Sequence, residues 1–126
     1  MRLKNYLSAK IHNWTVTRSD LHYVGSITID KALLELTGME KNERVLVVNN
    51  TSGSRLETYI IEGEANSGAI EMNGAAAHLI HPGDEVIIMA FTLAEKAFEP
   101  TTILVDEENK FVRYLNEKPS SAVDNC

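Results

Sequence analysis

Cysteine is almost missing: the one thiol is Cys126, the last of 126 residues. A single thiol can build neither an intrachain disulfide nor a cysteine-based metal site. Long apolar runs are missing as well, and none approaches the roughly 20 residues that cross a bilayer as a helix. The opening stretch, MRLKNYLSAKIHNW, is polar throughout and has no apolar h-region, so no signal peptide is expected. These absences predict a cytoplasmic protein with no membrane segment. Cations are scarce, with 12 Lys and Arg against 18 Asp and Glu and a formal net charge of -6. Phosphate backbones need clustered cations, and one Trp, three Phe and four Tyr without a basic stripe offer no such face. The balance argues against nucleic acid as the main partner and ranks a nucleic-acid-binding β-barrel last among the readings.

What is present suits one globular domain over residues 1–115, with no internal repeat or low-complexity segment. Residues 2–7 and 10–18 read as β segments, the second alternating through Ile11, Trp14 and Val16. A further strand is expected over 22–29. DKALLELTG then predicts one short helix, with Asp30 as N-cap and Gly38 just past its end. ERVLVVNN (43–50) and RLETYIIEGE (55–64) form a hairpin about the turn NNTSGS. GAIEMN (68–73) is a short strand leading into GAAAHLI, a close turn or one helical turn. HPGDEVIIMAF has a turn at Pro82-Gly83-Asp84 and then a buried strand, and 101–115 reads as two strands around an Asp106–Lys110 turn. Residues 116–126 lack apolar periodicity and read as a loose tail. Many short strands with one or two short helices predict a small, mainly β barrel.

Several stretches have chemistry in them. In LHYVGSITID (21–30) a Gly25-Ser26 pair interrupts a good strand, which marks a bulge or a reactive peptide bond. His78 and His81 are spaced H-x-x-H, and His12 and His22 lie on early strands, yet no recognised metal-ligand spacing appears, so no metal is expected. NGAAA (73–77) lacks any phosphate-loop pattern, but its small residues expose backbone N–H groups. Along RLETY, side chains at i and i+2 share a strand face, so Arg55, Glu57 and Tyr59 project together and Thr58 faces the other way. Lys10 begins a strand. Each of these has a plain structural reading when taken alone.

Taken together, AKIH (9–12), DLHYVGSITID (20–30), RLETYI (55–60) and EMNGAAAHLIHPGDEVIIMAF (71–91) resemble the aspartate 1-decarboxylases. These are small pyruvoyl-dependent enzymes that make β-alanine for pantothenate and coenzyme A. The similarity runs from about residue 2 to about residue 105, and the last 20 or so residues match nothing. The resemblance implies a six-stranded double-psi β-barrel with short helices, assembled as a homotetramer. It also implies self-cleavage between Gly25 and Ser26 into a β chain, 1–25, and an α chain, 26–126. Ser26 would become a covalent pyruvoyl cofactor that forms a Schiff base with L-aspartate. Thr58 would assist self-processing by hydrogen-bonding the Gly25 carbonyl, and Tyr59 would be the proton donor in decarboxylation. Arg55 and Lys10 would bind substrate with Asn73 and the backbone of Gly74, Ala75 and Ala76, and His12 and Tyr23 are secondary candidates. Cleavage would be either spontaneous or helped by a separate maturation factor. The alternative is a non-enzymatic double-psi β-barrel binding module in which Gly25-Ser26 is only a bulge.

Overall fold

The computed structural model describes residues 1–20 and 26–116. Within them the chain is mainly β, with nine strands, one α-helix and one 3₁₀ helix. The strands are β1 (Lys4–Thr15), β2 (Arg18–Asp20), β3 (Ser26–Asp30), β4 (Arg44–Asn49), β5 (Arg55–Gly63), β6 (Ile70–Asn73), β7 (Glu85–Ala94), β8 (Thr101–Val105) and β9 (Phe111–Leu115). The helix α1 (Lys31–Thr37) lies between β3 and β4, and the 3₁₀ helix, Gly74–His78, follows β6. Hydrogen bonding orders the strands β2-β6-β3-β5-β4-β7-β1-β8-β9. The sheet is mixed: β1 with β8, β2 with β6 and β3 with β5 run parallel, and the other neighbours run antiparallel.

Period-2 alternation builds the core. Ile11, Val45, Val47, Ile60, Ile88 and Ile103 point inward from five strands, and each is buried. Burying a side chain of that size contributes about 1.5–3 kcal/mol relative to leaving it exposed. Trp14, Ile27, Ile29, Ile70 and Met72 extend the same cluster towards β3 and β6. The helix lays Leu33 and Leu34 on this core and is bounded as its residues predict. Asp30 accepts from the Ala32 N–H, and Gly38, at φ 79°, closes the end with its N–H donated to the Leu34 carbonyl.

Two expectations need correcting. Residues 2–7 and 10–18 are not two strands with a gap; β1 is continuous over Lys4–Thr15, and Arg18 starts β2. The alternation is broken by register shifts between Leu7 and Ala9 and between Ile11 and Trp14, where Asn13 sits at φ 65°. Bulges of this kind add a residue without ending the strand. The strand after Pro82-Gly83-Asp84 is not buried along its length either. Val86, Ile88 and Ala90 face the core, whereas Phe91, Thr92 and Leu93 are exposed.

The expected strand over 22–29 is present from Ser26, and its residues 22–25 lie outside the described residues, as do 117–126 of the expected tail. No helix among the described residues is long and apolar enough to cross a membrane.

Candidate active site

Ser26 opens β3, a strand held on both sides. It pairs antiparallel with β6 through Ser26↔Asn73, and β3 pairs parallel with β5 from Ile27↔Ile60. The alternation sends Ile27 and Ile29 into the core and leaves Ser26 and Thr28 on the opposite face of the strand. Ser26 is nevertheless 0 % exposed. Its hydroxyl oxygen accepts a hydrogen bond from Asn73 Nδ2 at 3.0 Å. The same amide nitrogen donates to Thr28 Oγ1 at 3.2 Å. Asn73 is itself buried, and Gly74 follows it at φ 64°, a left-handed angle that favours glycine and turns the chain into the 3₁₀ helix. Asn73, Gly74 and the backbone of Ala75 and Ala76 are therefore contiguous with the partner of Ser26.

Strand β5 brings the next group. One step back along the parallel register from Ile27↔Ile60 sets Tyr59 abreast of Ser26. Tyr59 is 36 % exposed, so its phenol is open to solvent. Thr58 lies on the other face of β5, with Ile60, as the alternation predicts. Arg44, Glu57, Thr58 and Tyr59 line an open cleft of about 530 Å³. Arg55 is exposed at the far end of β5, four residues before Tyr59, a span of about 13 Å at 3.3 Å per residue. It makes no ion pair among the described residues. Its acidic neighbour on the same face, Glu57, is paired with Arg44 across the β4–β5 ladder.

Lys10 is placed differently. It lies half-buried on β1, between Met89 of β7 and Thr102 of β8, and three strands separate β1 from β3 in the hydrogen-bonded order. His12 shares that strand and approaches Asn13 Oδ1 through Nδ1 at 3.2 Å. Strand pairing thus joins Ser26, Tyr59, Thr58 and Asn73 with the Gly74 turn, and leaves Arg55, Lys10 and His12 outside that group. Gly25, His22 and Tyr23 lie outside the described residues. His81 serves its own turn: its backbone N–H donates to Asp84 Oδ2 at 2.9 Å.

Sequence reasoning missed two residues here. Thr28 was available from the strand period, since it shares a face with Ser26 two residues earlier. Arg44 was not, because its partner Glu57 lies 13 positions away and is identified only by the pairing of β4 with β5. Chemically, the arrangement offers a hydroxyl shielded from water, an amide donor aimed at its oxygen and a phenol one strand away. That set suits reaction at residue 26 itself, and the amide donor fits a hydroxyl or a carbonyl oxygen equally well.

Comparison with known proteins adds an independent finding. Residues 1–112 match the family described as aspartate decarboxylase. The aspartate 1-decarboxylase of Bacillus pumilus is 46% identical over 124 residues, covering 95% of this chain and 98% of that protein. That of Corynebacterium efficiens is 49% identical over 119 residues, covering 91% and 88%. The enzyme of the same name from Chlorobium chlorochromatii is 54% identical over 107 residues, covering 82% and 83%.

Proposed function

The chain belongs to the aspartate decarboxylase family, and on that premise we propose that it converts L-aspartate to β-alanine and carbon dioxide with a pyruvoyl group made from its own Ser26. The observation that carries this reading is the buried Ser26 hydroxyl with the Asn73 amide on its oxygen. The amide holds the hydroxyl oxygen in a fixed place at the strand start, directly after the peptide bond that it would attack.

Self-processing runs from the residues present. Ser26 Oγ attacks the Gly25 carbonyl carbon, the bond from that carbon to the Ser26 nitrogen breaks, and the nitrogen takes the hydroxyl proton. The resulting ester loses the Ser26 Cα proton and its Cβ–O bond, which frees residues 1–25 with a new carboxylate. Water then supplies the ketone oxygen, and ammonia leaves from residue 26. Thr58 would donate to the Gly25 carbonyl oxygen as negative charge develops there. Glycine before the cut gives the attacking hydroxyl room.

Once formed, the pyruvoyl group supplies an electrophilic carbonyl able to draw away the electron pair left by a departing carboxylate. The chain provides the rest. Arg55 binds a substrate carboxylate through its planar fork, and the Arg44–Glu57 pair keeps the neighbouring acid from consuming that charge. Lys10 lies three strands from Ser26 in its own chain, so in this reading its positive charge serves the site of a neighbouring copy in the homotetramer, while Asn73 with the N–H groups of Gly74, Ala75 and Ala76 holds substrate oxygen. Tyr59 returns a proton to carbon. In a protein of net charge -6, these few cations favour a dicarboxylic amino acid.

The chain would work as a cytoplasmic homotetramer in the supply of β-alanine for pantothenate, with a maturation factor where cleavage is assisted. Exposed Phe91 and Leu93 on β7 and Val112 and Tyr114 on β9 support association. Substrate choice is tested by incubating the cleaved protein with L-aspartate or L-glutamate and quantifying the amine product. β-Alanine is expected from aspartate, with glutamate slower by about ten- to a hundredfold, the scale of one methylene. Absence of β-alanine would contradict the assignment.

A further inference from the structure

We propose that Thr28 is a positioning residue for Ser26, acting through the Asn73 side chain; this rests on the reading of Ser26 as the self-cleaving residue. The ladder between β3 and β6 pairs Ser26 with Asn73 and Thr28 with Glu71. From that place Asn73 Nδ2 spends one hydrogen on Ser26 Oγ at 3.0 Å and the other on Thr28 Oγ1 at 3.2 Å. The terminal torsion of asparagine is broad and has no strong preference of its own. A single hydrogen bond to Ser26 would let the amide swivel. The second, to Thr28, pins its plane and directs Oδ1 away from both hydroxyls.

Thr28 is itself fixed. Its χ1 is stiff because its Cβ is branched. Its methyl, Cγ2, packs over Gly63 of β5, where an added Cβ would come within 3.1 Å of that methyl and 3.2 Å of the Ile29 carbonyl oxygen. Glycine at 63 leaves the space the methyl fills, and the methyl in that space turns Oγ1 towards Asn73. Orientation therefore passes from Gly63 to Thr28, to Asn73, to Ser26. The result is chemical. An N–H donated into Ser26 Oγ fixes the rotation of that hydroxyl, and with it the direction from which its oxygen would attack the Gly25 carbonyl carbon. Loss of that alignment slows attack, since small misplacements of a nucleophile cost rate steeply.

The test reads chain cleavage and not decarboxylation. Newly made, pulse-labelled protein is followed on a denaturing gel as the whole chain gives way to 1–25 and 26–126. Thr28→Val keeps the branched shape and removes the acceptor; cleavage is expected to slow by about five- to tenfold, the scale of one neutral hydrogen bond. Thr28→Ser keeps the hydroxyl but loses the methyl that orients it, so its cleavage should fall between the parent and Thr28→Val, slower than the parent by about two- to threefold. In an Asn73→Ala background, Thr28→Val should slow cleavage no further, because the amide that transmits the effect is gone. Thermal midpoints of the uncut chains verify that the variants fold. Parent-like cleavage in Thr28→Val, equal slowing in Thr28→Ser, or an additive loss in the Asn73→Ala background would each overturn the role of Thr28 and leave Ser26 standing. A parent chain that never separates after Gly25 would instead overturn the reading of Ser26.

Discussion

Arg55 shares a strand face with Glu57, and in an isolated strand those two charges would compensate each other. The fold prevents this by giving Glu57 to Arg44, diagonally across from it on β4. Arg55 is then a guanidinium at the mouth of β5 with no ion pair among the described residues. Lysine at this place would keep the charge and lose the fork, so Arg55→Lys is expected to lower kcat/KM for L-aspartate by about tenfold or more. Steady-state assays of the fully cleaved variant would measure it, and near-parent kinetics would remove Arg55 from substrate binding. At this scale the sequence was partly legible. The faces of Arg55, Thr58 and Tyr59 follow from the strand period alone. The contact between Ser26 and Asn73 does not, because 47 positions separate them and only the pairing of β3 with β6 closes the gap. The resemblance names both residues and gives no reason for their meeting.

The short helix shows how a single side chain can settle an element. Asp30 is buried and accepts three backbone hydrogen bonds, from Ala32 and Asn66 through Oδ1 and from Gly68 through Oδ2, each at 2.8 Å. It caps α1 and ties the loop before β6 to the end of β3. An amide at this position would set an NH₂ group against one of the N–H donors. Asp30→Asn is expected to destabilise the fold by about 2 kcal/mol, read as a lower urea midpoint at an unchanged slope. A loss below about 0.5 kcal/mol, within the range of ordinary surface changes, would contradict the triple acceptance. The helix was readable because its caps are local signals. Strand β1 was misread because its bulges at Leu7–Ala9 and Ile11–Trp14 interrupt the period on which strand reading depends. Strand partners were beyond reach, since alternation reports which face a residue takes and not which strand lies beside it.

Over the whole molecule, a few buried polar side chains join segments distant in sequence. Asn109 accepts from the Thr15 N–H and donates to the carbonyls of Thr15 and Gly68, so it clips the β8–β9 turn to β1 and to the loop before β6. Asn49, at the end of β4, donates to Asp84 Oδ2 at 2.8 Å. The Asp84 carboxyl is held below its ordinary value of 3.8, first by the His81 backbone N–H; partial burial opposes this, and the Asn49 amide and His81 charge assist it. A carboxyl whose folded pKa is depressed stabilises the fold above its unfolded pKa and loses that contribution as pH falls through the folded one. The contribution of Asp84 is thus present at neutral pH and fades below about pH 4. In Asp84→Asn the drop in urea midpoint between pH 5 and pH 3 should be smaller than in the parent; equal drops would contradict the linkage. None of this mesh was legible beforehand. Asn49 and Asn109 looked like turn residues, and their burial comes from the sheet folding over them.

The central claim is that Ser26 becomes a ketone by cutting its own chain, and an intact mass spectrum under denaturing conditions tests it most directly. Two polypeptides are predicted, one ending at Gly25 and one lighter by a single ammonia than a chain beginning with Ser26. One whole chain that persists after long warm incubation and in the presence of a maturation factor would contradict the account and leave Gly25-Ser26 as a bulge in a strand.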